Sequence, residues 1–279
     1  MADQYYIVPR MDSDGYLDCL LEICKKEEIS LILPLQEDEL LLISKNKDLF
    51  KKAGVLPVIS DYEKIVLCKD KYSLNHYLTE QGISAVPTFL AKEYLESNTI
   101  ENKVFVKPRY GAGSIDTFAV HSQKLLEALV EDTQEELIVQ PYITGKEYGV
   151  DVYVDMLSQE VVSCFCKQKL RMRAGETEKS ISIRIPEVEK LVTDAVCSIG
   201  LCGPIDVDVM EQDGKYYILE INPRFGGGYP HAYKCGVSFP DFISENGAGM
   251  PNAVTKNKYS ENILAMKYSE IIVENISDI

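Results

Sequence analysis

Apolar residues change period along the chain, and the changes mark its elements. Leu17, Leu20, Leu21 and Cys24 recur at spacings of three and four, one face of a helix that Asp12-Ser13-Asp14 can cap. Ile29–Leu33 is a short apolar run ended by Pro34, which predicts a buried strand. A second helix carries Leu40, Leu41, Ile43 and Phe50 and stops near Gly54, and Val55–Ile59 reads as another strand. Tyr5–Val8 is the first candidate strand. The β-α-β order predicts a parallel sheet.

The texture changes at Asp70, which can cap a helix over Tyr72–Gln81 closed by Gly82. Pro87 begins an extended segment. Val104–Pro108 reads as a strand running into the small-residue turn Tyr110-Gly111-Ala112-Gly113-Ser114, and Leu125–Val130 as a helix. The stretch 136–143 (ELIVQPYI) is a strand, and Glu147–Asp155 a long alternating one, with 161–166 (VVSCFC) as its hairpin partner. Pro186 near N1 and Gly200 at the far end bracket a helix over Ile185–Ile199. Two more strands flank Asp213-Gly214, a hairpin signal. After about residue 250 the chain is polar, and a surface helix or a docking tail is expected there.

Composition narrows the function classes. The 279 residues are 46% hydrophobic and 26% charged, enough for a sizeable core and unlike a disordered chain. With 29 Lys+Arg against 44 Asp+Glu the formal charge is −15, which disfavours nucleic acid and anionic membrane surfaces as partners. The start lacks a signal-peptide core, and no apolar run nears the roughly 18–20 residues that span a bilayer, so a cytoplasmic protein is expected. None of the eight cysteines forms C-x-x-C, and the three histidines show no zinc spacing.

The sharpest chemical cluster is Glu220-Ile221-Asn222-Pro223-Arg224. On a strand, Glu220 and Asn222 point to one face and offer the oxygen ligands that Mg²⁺ prefers. Asp206 and Asp208 lie on the preceding strand, and register decides whether they join them. A two-residue loop sends Asp208 to the other face. A three-residue loop, Gln212-Asp213-Gly214, opposes 206 to 220 and 208 to 218, and is predicted because it gathers the acids. Lys107, with the small residues after it, can place a charge and backbone N–H groups on a phosphate. Lys167, Lys169, Arg171 and Arg173 alternate on one face. They suit either a solvated strand edge or a phosphoryl-transfer site.

Taken in order, Lys71 in DK, Lys107 in VKP, the glycine loop, Gln140 to Glu147 in VQPYITGKE, the acids of DVDVM and finally EINPR resemble the ATP-grasp superfamily over roughly residues 60–240. Within it, carbamoyl-phosphate synthase large-subunit-like proteins are most similar. The resemblance implies an α/β (α+β) ATP-grasp fold with a truncated Rossmann-like pre-ATP-grasp domain. It divides the chain into 1–69 for that partial domain, 70–137 for the small ATP-grasp subdomain, 138–250 for the C-terminal subdomain with the Mg²⁺ site, and 251–279 as an extension. It implies that Lys71, Lys107, Gly111, Gly113 and Ser114 contact the ATP phosphates. Adenine would meet the backbone from Val139 through Gln140 to Tyr142, and the ribose Glu147. Asp208, Glu220 and Asn222 would hold Mg²⁺, with Mn²⁺ as an alternative ion. Arg224, Lys107 and Arg171 are the catalytic candidates. Arg171, Arg173 and the loop Gly226–His231 form the substrate side.

The implied reaction is ligation of a small-molecule carboxylate to an amine through an acylphosphate. The rival readings are a non-catalytic ATP-binding subunit and half of a split carbamoyl-phosphate synthase. The chain begins partway through the usual N-terminal domain, so a second copy or a partner chain is expected to cover that domain's open edge.

Overall fold

The computed structural model describes residues 4–111, 113, 115–255, 258–271 and 273. Ala112 and Ser114 of the glycine loop therefore lie outside the described residues.

The N-terminal part comprises α1 (Tyr16–Lys26), β1 (Leu31–Ile32), α2 (Glu37–Lys45), α3 (Lys47–Lys52) and β2 (Leu56–Pro57). β1 and β2 pair in parallel, as the β-α-β pattern requires. Cys24, Leu40, Ile43, Phe50, Val55 and Ile59 form its core. Three details differ from the sequence reading. Gly15, not an acidic side chain, stands at the α1 N-cap. The second helix breaks at Asn46, whose side chain turns back to the Leu42 carbonyl at 2.8 Å. Tyr5–Val8 is not a strand.

Two helices follow, α4 (Tyr62–Lys69) and α5 (Lys71–Glu80). Next come β3 (Phe89–Leu90), α6 (Ala91–Ser97), β4 (Val104–Pro108), β5 (Phe118–Val120), α7 (Gln123–Asp132) and β6 (Leu137–Pro141). Their strands form a four-stranded sheet, β3-β6-β4-β5, covered on one face by α6 and α7 through Val104, Val106, Leu126, Leu137 and Val139.

The rest of the chain builds a six-stranded sheet, β11-β10-β7-β8-β9-β12. Its members are β7 (Glu147–Val154), β8 (Val161–Arg173), β9 (Glu176–Ser182), β10 (Gly203–Gln212), β11 (Lys215–Asn222) and β12 (Leu264–Met266). Three helices accompany it, α8 (Pro186–Ile199), α9 (Tyr229–Lys234) and α10 (Phe239–Gly247). β12 pairs with β9, so part of the polar C-terminal stretch is sheet rather than a surface helix or tail.

Alternation divides the central strand β7 between two environments. Val150, Val152 and Val154 pack against Val188, Val192 and Val196 of α8 and Leu74 and Leu78 of α5. On the other face Tyr153 packs with Phe165, Phe239 and Ile243 at one end. The same face carries Asp151, Gly149 and Glu147 toward the other end. The two sheets are joined where Ser84–Val86 runs beside the β11 edge: Ile218 donates to the Ser84 carbonyl and Val86 donates to that of Ile218, both at 2.9 Å. Lys71 of α5 lines a cleft with Glu220 and Asn222 of β11 and with Arg224.

The loop between β6 and β7 crosses the 211–212 backbone so closely that a Cβ on Gly145 would lie 1.6 Å from the Glu211 carbonyl oxygen. Gly145→Ala is expected to cost roughly 1–3 kcal/mol of stability, read by urea unfolding. An unchanged midpoint would show that the loop moves freely.

Candidate active site

The charged face of the six-stranded sheet is built by an unpredicted backbone device. Gln212 pairs with Lys215, so the β10–β11 hairpin has the two-residue loop Asp213-Gly214, not the three-residue loop expected. Both loop residues have positive φ (53° and 74°), the signature of a type I′ turn. That register alone would turn Asp208 away from Glu220. A β-bulge between Asp208 and Val209 skips Leu219, so Asp208 stands opposite Glu220 and Asp206 opposite Asn222. The acids and the amide share one face, as the sequence reading required. The trace of the bulge is visible in β11, where Ile218 and Ile221, three apart, are both buried.

β8 supplies cations to this face. Lys169 Nζ donates to Asp208 Oδ1 at 2.6 Å and Glu147 Oε1 at 2.8 Å. Burial opposes its charge, but Asp208 and Glu147 outweigh it and hold the ammonium above its ordinary range. Lys167 pairs with Asp151, and each is 1% exposed. Gly149 makes room for both lysines, since a Cβ there would sit 3.1 Å from each Cε. Beyond Lys169 a bulge changes the register, and Arg171 and Arg173 leave the cleft to pair with Glu178. Arg171 is 63% exposed, and its ion partner is Glu178 rather than Asp208 or Glu220. The basic run is thus split, and it is no free edge, because β8 is paired on both sides.

The four-stranded sheet and α5 bring the remaining cations. Asp70 caps α5 by accepting from the Tyr72 and Ser73 N–H groups, each at 3.1 Å. Lys71 follows it, buried, with its Nζ donating to the Gly111 carbonyl and lying 3.4 Å from Glu220 Oε1. Lys107 is buried in β4. Burial pushes its ammonium down and Lys71 adds to that, while Glu220, Asp208 and Glu147 pull the other way. Gly111 and Gly113 both have positive φ (143° and 70°).

Of the adenine candidates, Val139 is paired on both sides and its side chain is in the helix-covered core. Gln140 is buried and donates to Thr88 Oγ1 at 2.9 Å. Tyr142, just past β6, lies under Lys103 Nζ at 3.8 Å. Arg224 follows β11, 3.7 Å from Asp206 and 3.4 Å from Glu37 at the start of α2. Gly226 and Gly228 pack tightly: a Cβ on the first would fall 2.5 Å from the Asp206 carboxylate, and on the second 2.8 Å from Lys167 Cε. Beneath them, burial and repulsion from Asp208 and Asp151 push the Asp206 carboxyl up to about 7.

Asp151, Glu37 and Arg109 were missed. Asp151 was readable, because it shares strand parity with Glu147. Glu37 had no local signal, since it meets a residue 187 positions away.

The donors suit Mg²⁺ in kind and in face: two opposed carboxylates and an amide oxygen. Among the described residues, no three of His, Cys, Asp and Glu converge as a ready metal cluster. Lys169 and Lys71 hold the two carboxylates instead.

A family model for the ATP-grasp domain matches residues 68–228, more than half of the chain. The chain belongs to the ATP-grasp family. A second model, the PylC-like N-terminal domain, matches residues 1–59. The arginine-specific carbamoyl phosphate synthase large chain of Geobacillus stearothermophilus is 25% identical over 292 residues, covering 92% of this chain and 27% of that protein. A D-alanine–D-alanine ligase of Thermotoga maritima is 29% identical over 186 residues, 61% of each. The chain therefore spans about a quarter of the first relative and under two thirds of the second.

Among solved structures, the biotin carboxylase domain of Hydrogenobacter thermophilus 2-oxoglutarate carboxylase, in complex with MgADP and bicarbonate, superposes with a TM-score of 0.75. It is 18% identical, with 94% of this chain and 64% of that one covered. An L-amino acid ligase from Bacillus licheniformis gives 0.69 at 19% identity, over 88% and 63%. Both likenesses concern the ATP-grasp fold. Among the described residues no helix is long and apolar enough to cross a membrane.

One pH effect follows from the α5 cap of this ATP-grasp domain. Burial works against the Asp70 charge, but Arg109, Ser73 and Tyr110 overcome it and bring the carboxyl from 3.8 down to about 2. A folded value below the unfolded one means stability present above the ordinary value and lost as the pH falls toward the lower one. The stability gap between wild type and Asp70→Asn is expected to close between about pH 5 and pH 2 in urea titrations. A gap independent of pH would contradict the assignment.

Proposed function

We propose that the protein is a Mg-ATP-dependent carboxylate–amine ligase of the carbamoyl-phosphate synthase large-subunit-like kind, working through an acylphosphate. The observation that carries this reading is that Lys71 of α5 and Lys169 of β8 pair with the opposed carboxylates Glu220 and Asp208, with the buried Lys107 of β4 in the electrostatic field of both. Such an array suits a phosphoryl group moving between two oxygens, where the protein's work is positioning and charge neutralisation. Asp208, Glu220 and Asn222 would hold Mg²⁺, which when bound supplies charge neutralisation at the phosphates. Lys71 and Lys107 would hold the phosphates, with Gly111, Gly113 and Ser114 closing over them. Glu147 would take the ribose, and the chain from Val139 to Tyr142 the adenine. Arg224, steadied by Glu37 and Asp206, would neutralise the carboxylate and the acylphosphate it becomes. Arg171 would meet substrate only at the cleft's rim.

The test is ADP release from Mg-ATP with pools of carboxylic acids (amino acids, hydroxy acids, bicarbonate) and of amines. Turnover requiring one member of each pool is expected. Nucleotide binding with no turnover on any pool would favour a non-catalytic subunit, and no nucleotide binding at all would overturn the reading.

A further inference from the structure

Arg109 follows the Lys107-Pro108 strand end and joins everything around Lys71. Its Nε donates to Asp70 Oδ1 at 2.7 Å, and its Nη2 donates to Asp70 Oδ2 and, at 3.2 Å, to Ser73 Oγ. Its Nη1 reaches Glu136 Oε2 at 2.7 Å. The backbone closes the same unit, because Arg109 N–H donates to the Glu136 carbonyl at 2.8 Å and the Arg109 carbonyl accepts from Lys71 N–H at 3.3 Å. Tyr110 adds its hydroxyl to Asp70 Oδ2 at 3.0 Å. The Asp70 carboxylate thus serves two masters, capping α5 and receiving a two-pronged guanidinium.

Lys71 is the residue between these bonds. Its N–H is held by Arg109, and its Nζ by Gly111 two residues further on and by Glu220 across the cleft. The start of α5, the end of β4 and the root of the glycine loop are therefore bonded to one another through Lys71 and Arg109.

We propose that Asp70 and Arg109 are positioning residues that set Lys71 and, through its Nζ bond to Gly111, the root of the glycine loop, and so control the grip on the nucleotide's phosphates. The inference rests on the ligase reading above, but only on its nucleotide half. Arg109 lies outside the acid cluster and acts through Lys71. A guanidinium is needed, because lysine cannot span both carboxylate oxygens in a fixed plane.

A double-mutant cycle on the whole chain tests this, with Mg-ATP affinity measured by calorimetry for wild type, Arg109→Lys, Lys71→Ala and the pair. Arg109→Lys is expected to weaken binding about tenfold, yet to add little in the Lys71→Ala background. Losses that multiply, or an Arg109→Lys affinity equal to wild type, would overturn the proposal. Asp70→Asn, which keeps a capping side chain, should follow Arg109→Lys, and full affinity in that variant would equally overturn it. A wild type that binds no nucleotide would overturn the ligase reading and this inference together. Binding in the wild type with multiplicative losses would remove only the inference.

Discussion

Glu220→Ala is expected to lower ATP turnover about a thousandfold, the cost of removing a preformed charge from a transfer site. Glu220 faces Asp208 across the β10–β11 ladder and Lys71 across the cleft, so it touches both the acid set and the phosphate-side cations. Its neighbour Leu219 is skipped by the bulge, and no other carboxylate of β11 can take its place. Glu220→Gln keeps the shape and an oxygen but loses the charge. It is expected to retain more activity than alanine while needing more Mg²⁺. The measurement is ADP formation against Mg²⁺ concentration for both variants, beside the exposed Glu80→Gln as control. Wild-type Mg²⁺ dependence in Glu220→Ala would mean that the metal assignment is wrong.

Lys167→Met is expected to give the largest loss of stability. Lys167 and Asp151 are each 1% exposed, and Asp151 Oδ1 has no hydrogen-bond partner among the described residues. The ammonium is thus the main compensation for a carboxylate that burial already pushes toward its neutral form. Removing the ammonium leaves the buried Asp151 without its counter-charge, which costs about 3–5 kcal/mol. For a chain of this length the midpoint of thermal unfolding should fall by roughly 10 °C. Replacing both, Lys167→Met with Asp151→Leu, should recover much of the loss, since apolar isosteres often match a buried pair. Urea unfolding of wild type, the single variant and the double variant decides it. A single-variant loss below about 1 kcal/mol would show that water reaches the pair.

Much of this architecture was readable because local chemistry and tertiary packing agree. Asp70 caps α5 as its residue type suggests, and Gly200, at a φ of 75°, closes α8. Lys71 stands beside Glu220, and Lys169 beside Glu147 and Asp208, although these residues lie far apart along the chain. The hairpin was harder. Asp-Gly favours a two-residue turn, whereas the acids require a register that such a turn forbids, and the molecule satisfies both with a bulge. A bulge depends on how Ile218 and Ile221 pack beneath the sheet, which no local rule reveals. The same limit applies to Arg171. Alternation placed it beside Lys169, but the bulge in β8 just beyond Lys169 carries it to Glu178. Arg224 meeting Glu37 was beyond reach, because only the folded chain brings α2 to the end of β11.

Phosphoryl transfer to a carboxylate in this cleft is read with the turnover-competent carboxylate labelled with oxygen-18, the released phosphate being analysed by phosphorus NMR or mass spectrometry. Transfer through an acylphosphate puts one labelled oxygen into inorganic phosphate, with ADP as the other product. Label appearing in AMP, or unlabelled phosphate at full turnover, would contradict the account.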